Sequence, residues 1–272
     1  MSNYASPEEY NLADLLCCAA SREVQDNEIV FAGTGLPMVA IMLAQKTHAP
    51  SLKLIFEAGT LDGRPPELPT SVGDARCETG ASRSSGLYDA FSIAQRGYVD
   101  LGFLGGAEVD LYGNVNTTCI GNYLEPELRL TGSGGNPDIN SFAKRTVFIM
   151  VHEKRRFVEN VSYITSPGWR VKKWPGGEFV HRRELYGSAF RGGPSAVIST
   201  AGVFRFDEQD GHMYLDTCHP GKTPAEIKEL CQFDLDVSRV AGETAPPTRE
   251  ELHFIHDVLD PDQIFIPKVK KS

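Results

Sequence analysis

The sequence predicts an α/β fold built on an open, mostly parallel sheet. Two observations carry that expectation. A strand-like run, "EIVFAG" (28–33), leads into an apolar helical run, "MVAIMLAQKTHA" (38–49), and a second strand-like run, "LKLIFE" (52–57). Strand, helix and strand within about 30 residues make a βαβ unit, which implies parallel pairing. The pattern then recurs, with "VDLGFLGG" (99–106) running into a Gly pair and "RTVFIMV" (145–151) forming another apolar strand.

The elements follow in order. Residues 7–26 read as a helix, because Leu12, Leu15, Leu16 and Ala19 recur at helical spacing and Pro7-Glu8-Glu9 suits a first turn. "GTGLP" (33–37) reads as a tight turn, with Pro37 opening the next helix and Pro50 closing it. Residues 84–96 read as a helix with Ser84 or Ser85 as cap and Gly97 as stop. "VSYIT" (161–165), "SAVIST" (195–200), "VFRF" (203–206) and "HMYL" (212–215) read as short strands, the last two joined by an Asp210-Gly211 hairpin turn. "TPAE" (223–226) and "TREE" (248–251) are capping boxes, each opening a helix. We expect one domain over 1–272, with a long surface excursion at about 166–194, rich in Gly, Pro, Arg and Lys.

Composition excludes several classes. With a net charge of −9, the chain is a poor nucleic-acid binder, since neutralising phosphates needs an excess of Lys and Arg. Its basic clusters, Lys154-Arg155-Arg156, Arg170–Lys173, Arg182-Arg183 and the Lys268–Lys271 tail, are short. No apolar run approaches the length of a membrane helix. The polar start "MSNYASPEEY" has no secretory pattern, and the six cysteines show no C-x-x-C spacing, so a cytoplasmic protein with reduced thiols is expected.

In open α/β sheets ligands bind beyond the carboxyl ends of strands, and the unusual residues fall there. Strand one ends in Gly33-Thr34-Gly35, strand two in Glu57-Ala58-Gly59, and the 99–104 strand in Gly105-Gly106. A further loop reads "TGSGG" (131–135). Such glycines serve turns, or bare backbone N–H groups for phosphate or an oxyanion. "GTGLP" is neither a dinucleotide fingerprint, since Met38 holds the sixth position, nor a Walker loop. Glu57, at the exit of an apolar strand, is either half of a structural ion pair or a nucleophile or general base on a rigid support. "HEKRR" (152–156) lacks the second His of a zinc motif, no G-x-S-x-G elbow occurs, and the seven histidines have no metal spacing, so no metal is expected. His253 and His256 could share one helix face. Cys119 lies near the Gly-rich edge without a base beside it in sequence.

Taken together, "FEAG" (56–59), "GTGLP", "GGAEVDLYGNVN" (105–116), "TGSGG", "HEKRRF" (152–157) and "FDLDVS" (233–238) resemble class I coenzyme A transferases, in particular the β subunit of glutaconate CoA-transferases, over most of the chain. The resemblance implies the NagB/RpiA/CoA-transferase-like fold and an α subunit of related fold, with the two assembled as an α2β2 heterotetramer. It implies no permanently bound cofactor, coenzyme A being a substrate that is exchanged between an acyl-CoA and a carboxylic or dicarboxylic acid. It implies a ping-pong reaction with Glu57 as nucleophile. Gly33, Gly35, Gly105, Gly106, Gly132, Gly134 and Gly135 become candidates for contacting coenzyme A or the reaction's oxyanion. Asn114 and Asn116 become side-chain candidates.

Ala58 departs from the serine common after the glutamate, and the 170–193 excursion looks longer than the usual loop. Other members of the fold are ring-opening CoA-thioester hydrolases, or decarboxylases that lack the glutamate. The residues therefore leave three readings open: a transferase subunit, a hydrolase using Glu57, and a non-catalytic stabilising subunit.

Overall fold

The structure is a computed structural model that describes residues 3–173, 175–187 and 192–269. Residues 174 and 188–191 of the expected excursion, and 270–271 of the Lys-rich tail, lie outside the described residues. The chain divides into two compact units, residues 1–103 with 245–272, and residues 104–244. The fold is α/β and its sheet is mostly parallel, with antiparallel edges.

In the first unit, α1 (Leu12–Ser21) starts later than its composition suggests. Residues 7–9 form a turn, and Asn11 and Asp14 cap the helix reciprocally. Strand β1 (Ile29–Ala32), helix α2 (Leu36–Lys46) and strand β2 (Lys53–Phe56) form the expected βαβ unit, with Ile29 to Ala32 in parallel register with Lys53 to Phe56. Met38 to Gln45 of α2 are all buried, which explains an apolar run with so little amphipathic contrast.

After β2 the chain turns back at once. Strand β3 (Thr60–Leu61) pairs antiparallel with β2, and β4 (Arg83–Ser84) pairs with β3. Ser84 is thus a strand residue, and α3 (Leu87–Gln95) is capped by Gly86, not by Ser84 or Ser85. Strand β5 (Leu101–Gly105) joins the other side of β1 in parallel. The C-terminal helix, Arg249–His253, opens on the expected Thr248–Glu251 box and continues as a π-helical stretch, Phe254–Leu259.

The second unit begins with two small hairpins, β6 (Glu108–Val109) with β7 (Val115–Asn116), and β8 (Cys119–Gly121) with β9 (Pro126–Arg129). Helix α4 (Asn136–Phe142) leads to β10 (Arg145–Met150). "VSYIT" forms no strand; Ser166 alone bridges to Val115. The excursion is structured, with β11 (Arg170–Lys172) and β12 (Phe179–His181) pairing as a hairpin before a short helix, α5 (Arg182–Tyr186). Strand β13 (Pro194–Ser199) runs parallel to β10. It continues into the antiparallel β14 (Gly202–Phe206) and β15 (Met213–Cys218), joined through the Asp210-Gly211 turn. Helix α6 (Pro224–Glu229) carries the other capping box, and β16 (Gly242–Glu243) closes the unit beside β15. Phe148, Phe157, Phe204, Met213 and Leu215 fill its core. Among the described residues no helix is long and apolar enough to cross a membrane.

Candidate functional site

Glu57 stands at the first central position of a tight turn at the carboxyl end of β2. The Gly59 amide donates to the Phe56 carbonyl at 2.9 Å, which closes the turn. Gly59 has φ of +119°, and a Cβ there would lie 2.6 Å from the backbone of Ser85 and Gly86. Only glycine fits. Ser85 holds the turn from outside: its amide donates to the Gly59 carbonyl at 3.1 Å and its hydroxyl donates to the same oxygen at 2.7 Å. Sequence reasoning read Ser85 as a helix cap and missed this role.

The ion-pair reading of Glu57 finds no partner: no cation or hydrogen-bond donor meets its carboxylate among the described residues. The side chain is half-buried, and burial raises its pKa above the ordinary glutamate value. A carboxylate kept partly out of water without compensation is better prepared to attack an electrophile than to stabilise a fold. Ala58, beside it in the turn, is exposed.

Gly33 and Gly35 flank the entry to α2, and Gly35 caps that helix with φ of +89°.

In the second unit, the structure brings two predicted loops together. An open cavity of about 720 Å³ is lined by Gly105, Gly106, Thr117, Arg129, Asn136 and Arg156, among others. Thr117 ties the loops: its hydroxyl donates to the Gly132 carbonyl at 2.8 Å, and the Gly132 amide donates to the Thr117 carbonyl at 2.9 Å. The Asn136 amide reaches the Gly105 carbonyl and the Thr117 hydroxyl, both at 3.4 Å. Gly132 and Gly134 have positive φ, and nothing lies within 4 Å of where their Cβ atoms would stand, so this backbone is open to a ligand. Gly135 caps α4. Gly106 has a packing duty instead, since a Cβ would meet Val115 at 2.7 Å. Thr117, Arg129 and Asn136 were not singled out from sequence; only their adjacency to the Gly-rich stretches pointed to them.

Asn114 and Asn116 are a correction. Both are fully buried and their side chains are occupied. The Asn116 amide donates to Glu108 Oε2 and to the Cys119 carbonyl, both at 2.7 Å, while its oxygen accepts from the Thr118 amide at 2.8 Å. The Asn114 amide donates to Asp110 Oδ2 at 2.8 Å, and its oxygen accepts from the Gly168 amide at 2.8 Å. Burial, offset in part by these bonds, raises the Asp110 carboxyl to about 6. These residues brace the β6–β7 hairpin and have no side-chain donor to offer a substrate.

The histidines have other duties. His152 is buried against Phe157 and Phe204 and bonds the Ile227 carbonyl; His219 bonds Thr244 and the Ser199 carbonyl. His253 pairs with Asp257, and His256 with the buried Asp14, so the two do not act as one cluster. Among the described residues no group of His, Cys, Asp and Glu is arranged to hold a metal ion.

Comparison with known proteins agrees with this arrangement. A family model described as Coenzyme A transferase matches residues 16–230. The chain is 36% identical to the β subunit of glutaconate CoA-transferase from Acidaminococcus fermentans, over 98% of this chain and 97% of that one. It is 34% identical to the β subunit of 3-oxoadipate CoA-transferase from Pseudomonas knackmussii, over 90% and 92%. Its structure superposes on the crystal structure of the Acidaminococcus glutaconate enzyme with a TM-score of 0.85, at 33% identity, covering 97% of this chain and 98% of that one. The chain belongs to the coenzyme A transferase family.

Proposed function

We propose that this protein is the β subunit of a CoA-transferase that moves coenzyme A between an acyl-CoA and a carboxylic or dicarboxylic acid, with Glu57 as nucleophile. The observation that carries this is Glu57 itself, a half-buried carboxylate without a cation, fixed on a glycine-dependent turn at the end of a parallel strand. A carboxylate needs no general base to attack a thioester. An oxygen of Glu57 bonds to the acyl carbon, the C–S bond breaks, and coenzyme A leaves as the thiolate with an acyl-glutamyl anhydride behind it. The thiolate then attacks the glutamyl carbonyl. This gives a glutamyl-CoA thioester and frees the first acid as its carboxylate. A second acid reverses both steps.

Each attack passes through a tetrahedral oxyanion. The open backbone at Gly33–Gly35 and at Gly132–Gly135 supplies candidate N–H donors, each typically worth about 3 kcal/mol. Coenzyme A is a substrate here, with no resident cofactor required. The relatives are β subunits of two-subunit enzymes, which supports an α subunit of related fold and an α2β2 assembly. Six buried free thiols suit a cytoplasmic setting.

The test is to express the chain with its α partner, incubate with an acyl-CoA, and trap with hydroxylamine or borohydride. Modification of the Glu57 peptide is expected. Normal turnover by Glu57→Ala overturns the assignment, and thioester loss that needs no acceptor acid indicates a hydrolase instead.

A further inference from the structure

The cavity beside the Gly132 loop holds two guanidinium groups with different surroundings. Arg156 is paired with Glu153 at 3.2 Å. Arg129 has no carboxylate partner among the described residues. It is nonetheless held in place. Its Nη2 donates to the Tyr123 carbonyl at 3.0 Å, and its guanidinium carbon lies 5.0 Å from the centroid of the Tyr123 ring. Tyr123 in turn stacks on Tyr163, with ring centroids 5.3 Å apart and an interplanar angle of 28°.

Such a stack restricts a long side chain while leaving its charge uncompensated. The hydrogen bond to Tyr123 engages one terminal nitrogen, so the fork keeps N–H groups for a planar oxyanion. Arg129 also ends β9, three residues before Gly132. A cation is thereby fixed on the wall of a cavity in a chain whose net charge is −9. An unpaired, oriented cation in that setting is a recognition element for an anion.

We propose that Arg129 is the anion-binding residue of this cavity and takes an oxyanionic end of the substrate. That end is the free carboxylate of a dicarboxylic acyl group or acid, or a phosphate of coenzyme A. The identity of these substrates rests on the CoA-transferase reading; the anion subsite itself does not.

The experiment uses the complex of this chain with its α partner and measures dissociation constants by calorimetry. The probes are glutarate, the monocarboxylate valerate, and coenzyme A. Arg129→Gln is expected to raise the constant for glutarate at least tenfold with valerate unchanged, if the carboxylate is the ligand. It raises that of coenzyme A at least tenfold with glutarate unchanged, if the phosphate is. Arg129→Lys recovers part of the loss, and unchanged melting temperatures show that both variants fold. Constants within twofold of wild type for both glutarate and coenzyme A overturn the proposal, as does the lack of measurable binding of either to wild type. A Glu57→Gln complex run alongside separates the two readings. It keeps probe binding, whereas its continued turnover would sink the transfer mechanism and leave the Arg129 result standing.

Discussion

The carbonyl of Phe56 accepts the amide of Gly59 at 2.9 Å, and this bond fixes the turn on which Glu57 stands. Gly59→Ala should therefore damage fold and activity together. The added methyl meets the Ser85–Gly86 backbone at 2.6 Å, and φ of +119° is hostile to any other residue. A loss of about 2–4 kcal/mol in urea denaturation is expected, with turnover falling by at least tenfold in whatever folded protein remains.

Glu57→Gln should do the opposite to stability. Burial raises the folded-state pKa of Glu57, so its charged form weakens the fold at neutral pH. Removing the charge should stabilise the protein at pH 7–8. The gain should vanish as pH falls below the ordinary glutamate range, where the wild-type side chain is protonated in both states. Denaturation midpoints across pH measure this, and a Gln variant less stable than wild type at pH 7.5 would contradict it. Trading stability for reactivity in this way is common at active sites.

Asn114→Ala and Asn116→Ala should act on folding. Each strips a donor from a buried carboxylate, Asp110 or Glu108, at an expected cost of about 2–3 kcal/mol. The Michaelis constant for an acyl-CoA, measured at a temperature where each variant remains folded, should stay within twofold of wild type. A tenfold rise in it without loss of stability would return these side chains to the binding site.

Acid should weaken the second unit through His219. Burial lowers its pKa to about 4, from 6.5 in a free imidazole. Above pH 6.5 the ring is neutral in both states and its contribution is complete. As pH falls toward 4 the unfolded chain takes up a proton that the folded chain refuses, at a cost reaching about 3 kcal/mol. His152 shifts in the same direction for the same reason, while Asp110, raised to about 6, works against it. The clean measurement is therefore a difference. Between pH 7 and 4.5, His219→Gln should lose less stability than wild type, by up to that amount.

Legibility from sequence fell with the distance between partners along the chain. The βαβ unit was legible because its signals are local: apolar runs, a Pro at the helix start, glycines at the exits. The start of α1 was misplaced because Pro7-Glu8-Glu9 looks like a first turn, yet Glu9 is engaged by Arg249, 240 residues away. Ser85 looked like a cap because serines often are, and its partner Gly59 lies 26 residues back. The asparagines were misread despite a visible clue. Glu108 and Asp110 alternate on one strand, Asn114 and Asn116 on the next, and same-face polar positions across a hairpin seek one another. The Glu57 turn was half legible: the strand and its carboxylate could be read, but the immediate reversal into β3 could not.

The six cysteines have a practical consequence at the bench. All are buried free thiols, and burial pushes Cys17 and Cys18 well above the usual thiol range, Cys77 to about 11 and Cys231 to about 12. Thiolates are the reactive form, so the folded protein should be silent toward thiol dyes. A colorimetric reagent added during turnover would then count released coenzyme A alone. The same reagent added during heating would light up as the chain opens, giving a label-free clock for unfolding.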